Sequence, residues 1–422
     1  MRVLHVTKTS DGGLWAARQA TELVRLGVEV HVAVPSLWGS AMGEWHRSGA
    51  HIHVCPLDFP ARSLWQMPAI CRSAKSLVAE VQPDLIHSHF VGTTFLLRQA
   101  LGRHHEIPRL FQVPGPLHME RWPFRALDLA TAGSNDFWIG TSRYIVNAYR
   151  NAGVPANRVF LSYHGGSASE ISVTRTHNLR RHLGIADGEL VVGNANFMYL
   201  PKLHLGQTMG IKCHEKVIDA LRIVLQKRSD VVGVLIGGPF GKGSWYEDRL
   251  RARAQAAGGG RIRMPGYMRE SQIADAWADF DCAVHIPLSE NCGGVIEPLL
   301  AGVPTIAARV GGLPEVVQDG FTGRTVPGRD PEDLAAATLD VLQNLRHYRA
   351  LARNGRTLVR TMFNVQRTAR EVHSIYEHLL DPARRRPAEF DGFDFLNGIV
   401  KATTDAQTSH IYAEPIRRYA SQ

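Results

Sequence analysis

Two glutamates and a glycine pair stand close together in the segment 289–315, and their types suit the binding of a phosphorylated ligand. Glu290 and Glu297 flank Gly293 and Gly294, and an apolar, helix-like run follows at once. Backbone amides at the start of a helix bind phosphate oxygens, and the field of the helix favours negative charge there. A carboxylate beside such a loop accepts hydrogen bonds from sugar hydroxyls without having to titrate. The segment therefore predicts a pocket for a phosphorylated sugar.

The elements that must position these residues follow from the alternation of patterns along the chain. Short apolar or β-branched runs alternate with helical patterns, first from about 2 to 163 and again from about 190 to 307. Such alternation is typical of parallel sheets covered by helices. We predict an α/β fold of two doubly wound domains, at 1–168 and 186–362, with a C-terminal helix and tail at about 363–422 joining the first. Ligands of such domains bind at the carboxyl ends of the strands.

The composition bounds the class of protein. The chain has 422 residues, of which 44% are hydrophobic and 21% charged, and this predicts a globular protein of two domains. No run of about 20 apolar residues occurs, so no membrane-spanning helix is expected. The five cysteines are scattered and form no CxxC pair, which is typical of a reducing compartment. A cytoplasmic location is therefore predicted.

The net charge of +9 is compatible with an anionic partner, such as a nucleotide sugar or a phospholipid surface, or with ordinary solubility charge. The arginines are dispersed apart from the run 384–386, and no basic helix interleaved with aromatic residues is present. We expect no nucleic acid partner. Peripheral contact with the inner face of a membrane stays open, and the sequence does not indicate an oligomeric state.

Four stretches occur in an order that resembles one known family. They are SEN…GGVIE…AGVPTIA…VGGLPEVV…DGFTG at 289–323, DGG at 11–13, TSRYIVNAYRNAGVPANRVFLSYHGG at 141–166 and GIKCHEKVIDAL at 210–221. Up to about Leu380, the chain is similar to the retaining glycosyltransferases of family 4. That family has the GT-B architecture, in which two Rossmann-like domains face each other across a cleft.

The resemblance implies a reaction. Members of this family transfer a sugar from a nucleotide diphosphate sugar to an acceptor hydroxyl, with retention of the anomeric configuration. A hexose-type sugar carried by UDP or GDP is the expected donor, and no tightly bound cofactor or metal is expected. The acceptor stays open among small molecules, glycans, lipid-linked sugars and natural products. Aromatic residues in first-domain loops could line an acceptor site or simply pack. These residues are Trp38, Trp45, Phe59 and Trp65.

The resemblance also implies roles for individual residues. Glu297 is expected to hold the donor ribose hydroxyls, Glu290 the hydroxyls of the transferred sugar and Lys212 the donor phosphate. His118 is expected to line the sugar pocket, where a neutral imidazole could donate to the sugar or to developing charge. The expected catalytic residues are His118, Lys212 and Glu290. The expected donor-binding residues are Gly12, Gly13, Lys202, Lys212, Glu290, Asn291, Cys292, Gly293, Gly294, Val295 and Glu297.

Two features depart from the family pattern. Glu290 and Glu297 enclose six residues, one fewer than the pattern, so that Ser289 stands where the first acid is expected. Glu290 would then have to reach the ligand through a shortened loop. The arginine that usually comes shortly before the lysine is missing, and Lys202 is a possible substitute.

Structural roles remain as alternatives for these residues. Glu297 could be a first-turn glutamate favoured by the helix dipole, worth about 0.3–1 kcal/mol. Lys212 could be a solvated loop lysine, and Gly12–Gly13 could form a tight turn without a ligand. His118 is one of 20 histidines, and a single histidine more often has a structural role.

Three further histidines have alternative roles. His87 and His89 share a face if their strand continues, and two such side chains could bind a metal. No third ligand is apparent from the sequence, so acceptor contact or a structural role is preferred and no metal site is predicted. His164, in YHGG, could cap the connection between the domains.

The predicted mechanism is a front-face transfer, because no carboxylate pair in the first domain is placed to act as nucleophile and acid. Two other functions stay open, a non-hydrolysing sugar-nucleotide epimerase and a catalytically inactive nucleotide-sugar-binding protein. A nicotinamide-dependent dehydrogenase is disfavoured, since no GxGxxG follows the first strand.

Overall fold

The computed structural model describes residues 1–166, 171–202, 206–241 and 243–398. Residues 1–390 form one compact unit, and a second unit begins at Asp391. In the described part of that second unit, the Asp391 carboxylate accepts hydrogen bonds from the amides of Phe393 and Asp394, at 2.9 and 3.1 Å. The predicted end of the first domain at 168 and most of the predicted tail lie outside the described residues.

The first half of the chain builds a parallel sheet. Within the described residues it contains seven strands in the order β3-β2-β1-β4-β5-β6-β7. The strands are β1 (Arg2–Val6), β2 (Glu29–Val34), β3 (His51–Val54), β4 (Leu85–Ser88), β5 (Arg109–Val113), β6 (Asp136–Gly140) and β7 (Val159–Leu161). The helices between them are α1 (Leu14–Arg25), α2 (Met42–Ser48), α3 (Met67–Val81), α4 (Val91–Leu101), α5 (Trp122–Thr131) and α6 (Arg143–Asn151).

The second half repeats the design. In the part of the chain that the structure describes, six parallel strands have the order β10-β9-β8-β11-β12-β13. They are β8 (Leu190–Ala195), β9 (Val231–Ile236), β10 (Ile262–Gly266), β11 (Cys282–His285), β12 (Thr305–Ala308) and β13 (Arg324–Val326). The helices are α7 (Asn178–Leu183), α8 (His214–Lys227), α9 (Trp245–Gly258), α10 (Glu270–Ala276), α11 (Ile296–Leu300), α12 (Leu313–Val316), α13 (Pro331–Gln343) and α14 (Leu345–Met362).

The two sheets confirm the predicted α/β class with two doubly wound, Rossmann-like domains. In each sheet the central strands are buried on both faces, which explains why they read as continuous apolar runs. The last helix, α15 (Val365–Leu380), lies in the predicted C-terminal segment and returns to the first sheet. There Val372, Ile375 and Tyr376 pack in the same core cluster as residues of α1. No described helix is long and apolar enough to cross a membrane.

The four aromatic residues expected in acceptor loops divide into two groups. Trp38 and Trp65 are 86% and 76% exposed, and Phe59 packs edge-on against Phe95. Trp45 is only 1% exposed, so of the two roles left open for these residues it has the packing role. It belongs to α2, which packs against α1 and takes this side chain into the core.

Glu315, on α12 of the second domain, joins the two domains. Its carboxylate accepts hydrogen bonds from the amides of Arg143 and Tyr144, both at 2.9 Å, and from the hydroxyl of Tyr163, at 2.6 Å. The two amides open α6, whose N-terminal field favours a negative charge. Burial nevertheless raises the pKa of Glu315, and the three donors only partly oppose that rise. The carboxylate therefore links α12 to a helix of the first domain.

We expect Glu315→Gln to lower the free energy of unfolding by about 1–3 kcal/mol, because the amide group cannot accept from all three donors and leaves a buried group unpaired. Urea denaturation followed by circular dichroism measures the change. Glu332→Gln is the matched control, since Glu332 is exposed in the first turn of α13. Equal stability of the two variants would contradict the role assigned to Glu315.

Candidate functional site

A cavity of about 550 Å³ lies between the two domains. Residues that follow β1, β4, β5, β8 and β11 line it, so it lies at the carboxyl ends of both sheets. Four of the lining side chains are cationic, and Glu290 is the single carboxylate among the described lining residues. The cations are Lys8, Arg121, Lys202 and Lys212. This excess of positive charge suits an anionic ligand.

Glu290 is held by three donors at the wall of this cavity. Lys212 forms an ion pair with its Oε2 atom, and His285 Nε2 lies 3.1 Å from the same oxygen. The amide of Asn291 donates to Oε1 at 3.1 Å. Burial alone would raise the pKa of Glu290, but Lys212 and His285 hold it well below its usual range. Glu290 is therefore a fixed anion that accepts hydrogen bonds, despite the shortened spacing to Glu297.

His285 is one of the side chains that hold Glu290 in place. Its pKa is lowered, chiefly by burial, so the ring is neutral and donates one hydrogen through Nε2. A Cβ atom on Gly294 would lie 2.4 Å from this ring, and Gly294 has a φ of +77°. Glycine is required there because any side chain would displace the imidazole. Gly294 thus leaves room for the His285 ring under the loop.

The loop before α11 is less of a phosphate cradle than its sequence suggests. The side chains of Cys292 and Val295 are buried, and Cys292 Sγ lies 3.5 Å from the carbonyl oxygen of Gly312. The helix that follows, α11, has only five residues, so its dipole is small. Positive charge at this wall comes mainly from Lys212.

Asn291 is committed to the joint between the domains. Its Nδ2 atom donates to Thr141 Oγ1 at 2.9 Å and to the Thr141 carbonyl at 3.3 Å. The residue lines the cavity, but its amide nitrogen bonds the first domain. If Asn291 binds the donor as predicted, it must do so through polar groups other than this amide nitrogen.

Glu297 lies outside the residues that line the cavity. Burial raises its pKa, although Trp277 Nε1 donates to its Oε2 at 3.0 Å and opposes that rise. Arg18, on α1 of the first domain, also lowers the pKa of Glu297 and contacts Glu270 at 3.2 Å. The two predicted glutamates thus occupy separate positions, Glu290 at the cavity and Glu297 against Trp277.

Gly12 and Gly13 form the turn between β1 and α1, with φ of +74° and +69°. The amide of Gly12 donates to Ser40 Oγ at 3.0 Å. Neither glycine lines the cavity. Lys202 does line it, and its amide donates to Gln207 Oε1 at 3.1 Å.

His118 lines the cavity from the first domain and is held from behind. Tyr149 donates its hydroxyl hydrogen to Asp128 at 2.6 Å, so its oxygen accepts from His118 Nε2 at 2.9 Å. Burial would raise the pKa of Asp128, but His118 and Arg98 hold it at about 2. Nε2 of His118 is thereby bonded to Tyr149, which leaves Nδ1 for a ligand. The expected role of His118 in the sugar pocket stays a prediction.

Sequence reasoning missed several residues at this site. Lys8 directly follows β1, and its position at the carboxyl end of a parallel strand was a usable indication. Arg18 and Tyr199 carried no comparable pattern. His285 lies within the apolar run of β11, where a histidine is naturally read as part of the core.

We expect Lys212→Met to destabilise the folded chain by about 3 kcal/mol at pH 7, since it removes the cation from a buried carboxylate. In the wild type the depressed pKa of Glu290 contributes stability that is complete above the unfolded glutamate pKa, about 4.3, and is lost as the pH falls through the folded value. The difference in the free energy of unfolding between Lys212→Met and wild type should therefore become smaller below about pH 4.

Chemical denaturation between pH 3 and pH 8 measures this dependence. Lys227→Met is the matched control, because Lys227 is exposed at the end of α8. A difference between Lys212→Met and wild type that does not change with pH would contradict the assignment of the ion pair.

Two family profiles match the chain and together span both domains. The profile described as "Glycosyltransferase Family 4" matches residues 13–166, and the profile "Glycosyl transferases group 1" matches residues 203–358.

Curated relatives match part of the chain. A D-inositol 3-phosphate glycosyltransferase from Streptomyces coelicolor is 35% identical over 150 residues, which cover 34% of this chain and 32% of the relative. One from Frankia alni is 31% identical over 188 residues, covering 43% and 46%. The matched segment thus spans between about a third and a half of these relatives.

Solved structures match the fold over most of its length. HepE from Anabaena, in complex with UDP and glucose, has a TM-score of 0.74 at 19% identity and covers 89% of this chain and 99% of its own. Sucrose-phosphate synthase from Thermosynechococcus elongatus has a TM-score of 0.72 at 19% identity, covering 90% and 100%. At this identity the likeness establishes a shared GT-B architecture.

Proposed function

This chain belongs to the group 1, family 4 glycosyltransferases, and from that premise we propose that it transfers a hexose-type sugar from a nucleotide diphosphate sugar to an acceptor hydroxyl with retention of configuration. The observation that carries the proposal is the cavity at the carboxyl ends of both sheets, where several cations surround one fixed carboxylate. An anionic, hydroxyl-bearing ligand complements both features.

The cations are proposed to bind the donor diphosphate. Lys212 and Lys202 lie on the second-domain side of the cavity. A lysine is a compact charge on a flexible stem, and it can follow the charge that grows on a departing diphosphate. Leaving-group stabilisation by these residues, without a bound metal, is proposed to carry the rate.

Glu290 is proposed to orient the transferred sugar. As a fixed anion it accepts hydrogen bonds from sugar hydroxyls, and the donors behind it hold the carboxylate in place. It is unsuited to act as a nucleophile, because Lys212 and His285 stabilise its negative charge. With no second carboxylate among the described lining residues, a front-face reaction is preferred to a double displacement.

Aromatic residues at the carboxyl ends of strands in the second sheet are proposed to bind the nucleotide base. Phe197, Phe240 and Tyr267 follow β8, β9 and β10, and are 43%, 54% and 64% exposed. The rings of Phe197 and Tyr267 stack with centroids 6.1 Å apart. An exposed aromatic face binds a base by stacking, worth about 1–3 kcal/mol. Glu297 is proposed to bind the ribose.

The acceptor is proposed to bind against the first-domain wall. Lys8 and Arg121 on that wall suit an acceptor that carries a phosphate. The relatives named as D-inositol 3-phosphate glycosyltransferases make inositol 3-phosphate the first acceptor to test. The exposed rings of Trp38 and Trp65 would also suit a lipid-linked acceptor presented at a membrane surface.

Calorimetric titration with UDP-, GDP- and ADP-sugars tests the donor site. We expect one nucleotide series to bind, UDP-sugars being the first candidates because HepE is described with UDP. Glu297→Ala should weaken binding about 10-fold or more, by removing the acceptor for the ribose hydroxyls, whereas Glu332→Ala should not. Absence of binding by every donor would overturn the proposal.

We expect His118→Gln to lower kcat on the order of 10²-fold with a smaller effect on KM, because Nδ1, the ring nitrogen not bonded to Tyr149, is proposed to hydrogen-bond the reacting sugar. Steady-state transfer assays measure the two constants. Tyr149→Phe removes the hydroxyl that orients the ring and should give a smaller loss of the same kind.

His104→Gln, at an exposed histidine, is the control for His118→Gln. Unchanged kcat in His118→Gln would contradict its role. Formation of a new sugar nucleotide without any acceptor would instead indicate an epimerase.

A further inference from the structure

Three buried histidines meet in the first domain, apart from the residues that line the cavity. His5 lies on β1 and is paired in register with His87 on β4, and His89 comes two residues later. Since alternate strand residues share a face, all three side chains lie on one side of the sheet. Each is 0% exposed. The sequence indicated only the second and third of them, and the fold supplies the first.

We propose that His5, His87 and His89 bind one divalent transition-metal ion, with Zn²⁺ as the first candidate. One ring nitrogen of each residue lies within 4.8 Å of the others. His5 Nδ1 and His89 Nε2 are 2.9 Å apart. On a tetrahedral Zn²⁺ with Zn–N of about 2.0–2.1 Å, two ligating nitrogens are about 3.3 Å apart. The His5–His89 pair therefore needs only a small adjustment to ligate one ion.

On the side of the cluster that faces α15, the histidines have the hydrogen bonding that metal-ligating histidines require. The hydroxyl of Tyr376, on α15, lies 2.5 Å from His87 Nδ1 and 3.3 Å from His5 Nε2. Hydrogen bonds of this kind orient the rings of metal ligands and fix their tautomers. If Tyr376 accepts from both rings, His5 Nδ1 and His87 Nε2 both carry lone pairs for a metal.

Several buried polar atoms in and beside the cluster lack a hydrogen-bond partner. His87 Nε2 and His89 Nδ1 are buried without a hydrogen-bond partner. So are both polar side-chain atoms of Gln112, which lies on the neighbouring strand β5. Buried polar groups are almost always paired with protein, water or an ion. A metal ion bound by His5 Nδ1, His87 Nε2 and His89 Nε2 would give His87 Nε2 a partner, and a water as its fourth ligand would offer one to Gln112.

The protonation state of the cluster suits a metal. Burial lowers the pKa of His5 to about 3 and takes the pKa of His87 and His89 well below their usual value. The three rings are therefore neutral at pH 7 and need lose no proton to coordinate. Neutral imidazoles select Zn²⁺, Cu²⁺, Ni²⁺ or Co²⁺ over Mg²⁺ or Ca²⁺.

Metal content and Co²⁺ substitution test the proposal on the untagged full chain. We expect about one equivalent of Zn²⁺ by elemental analysis after reconstitution and dialysis. Co²⁺ should give the visible absorption of a tetrahedral nitrogen-ligated site. Both should be lost in His5→Gln/His89→Gln and kept in His31→Gln/His51→Gln. The control pair belongs to a more exposed group with Glu29 that also offers three ligand atoms.

A second variant guards against misfolding of the histidine double variant. Tyr376→Phe keeps the ring packing and removes only the hydroxyl, so it should lower the Zn²⁺ affinity about 10–100-fold in a chelator competition. The proposal is overturned if wild type binds no Zn²⁺ or Co²⁺. It is equally overturned if metal is lost in His31→Gln/His51→Gln and retained in the His5 and His89 variant.

Discussion

The contact between Glu315 and the start of α6 is the constraint on which the site depends. The residues proposed to bind the ligand come from both domains, so a cavity exists only while the carboxyl ends of the two sheets stay opposite each other. Glu315 satisfies two backbone amides and one hydroxyl of the first domain with a single carboxylate. Asn291 adds a second link through Thr141. Loop residues that follow the strands are thereby brought together across the cleft.

Within that frame, the site is built around one buried carboxylate. Glu290 is ionised because Lys212, His285 and a backbone amide surround it, and His285 in turn fits because residue 294 has no side chain. Gly294 packs closely against the imidazole, and Glu290 reaches the cavity from a position held by three donors.

The fold was predicted well because the sequence patterns that indicate strands and helices are local. Apolar runs and helical periodicity were sufficient to predict two doubly wound α/β domains. The family motifs also indicated Lys212, Glu290 and His118, which the structure places around one cavity. Prediction was weaker where long-range packing decides the outcome. Trp45 is buried by the orientation of α2, and His5 joins His87 only through the pairing of β1 with β4.

The ion pair of Lys212 with Glu290 has a consequence for selectivity between donor and spent nucleotide. In the proposed reaction, a bare nucleotide diphosphate attracts Lys212 and leaves the buried carboxylate with fewer partners. An intact sugar nucleotide draws on the same lysine but supplies hydroxyls to Glu290 in exchange. Only the complete donor supplies hydrogen bonds to Glu290 that offset the free energy of breaking its ion pair with Lys212. Once the sugar has left, re-formation of the pair competes with the diphosphate and favours its departure.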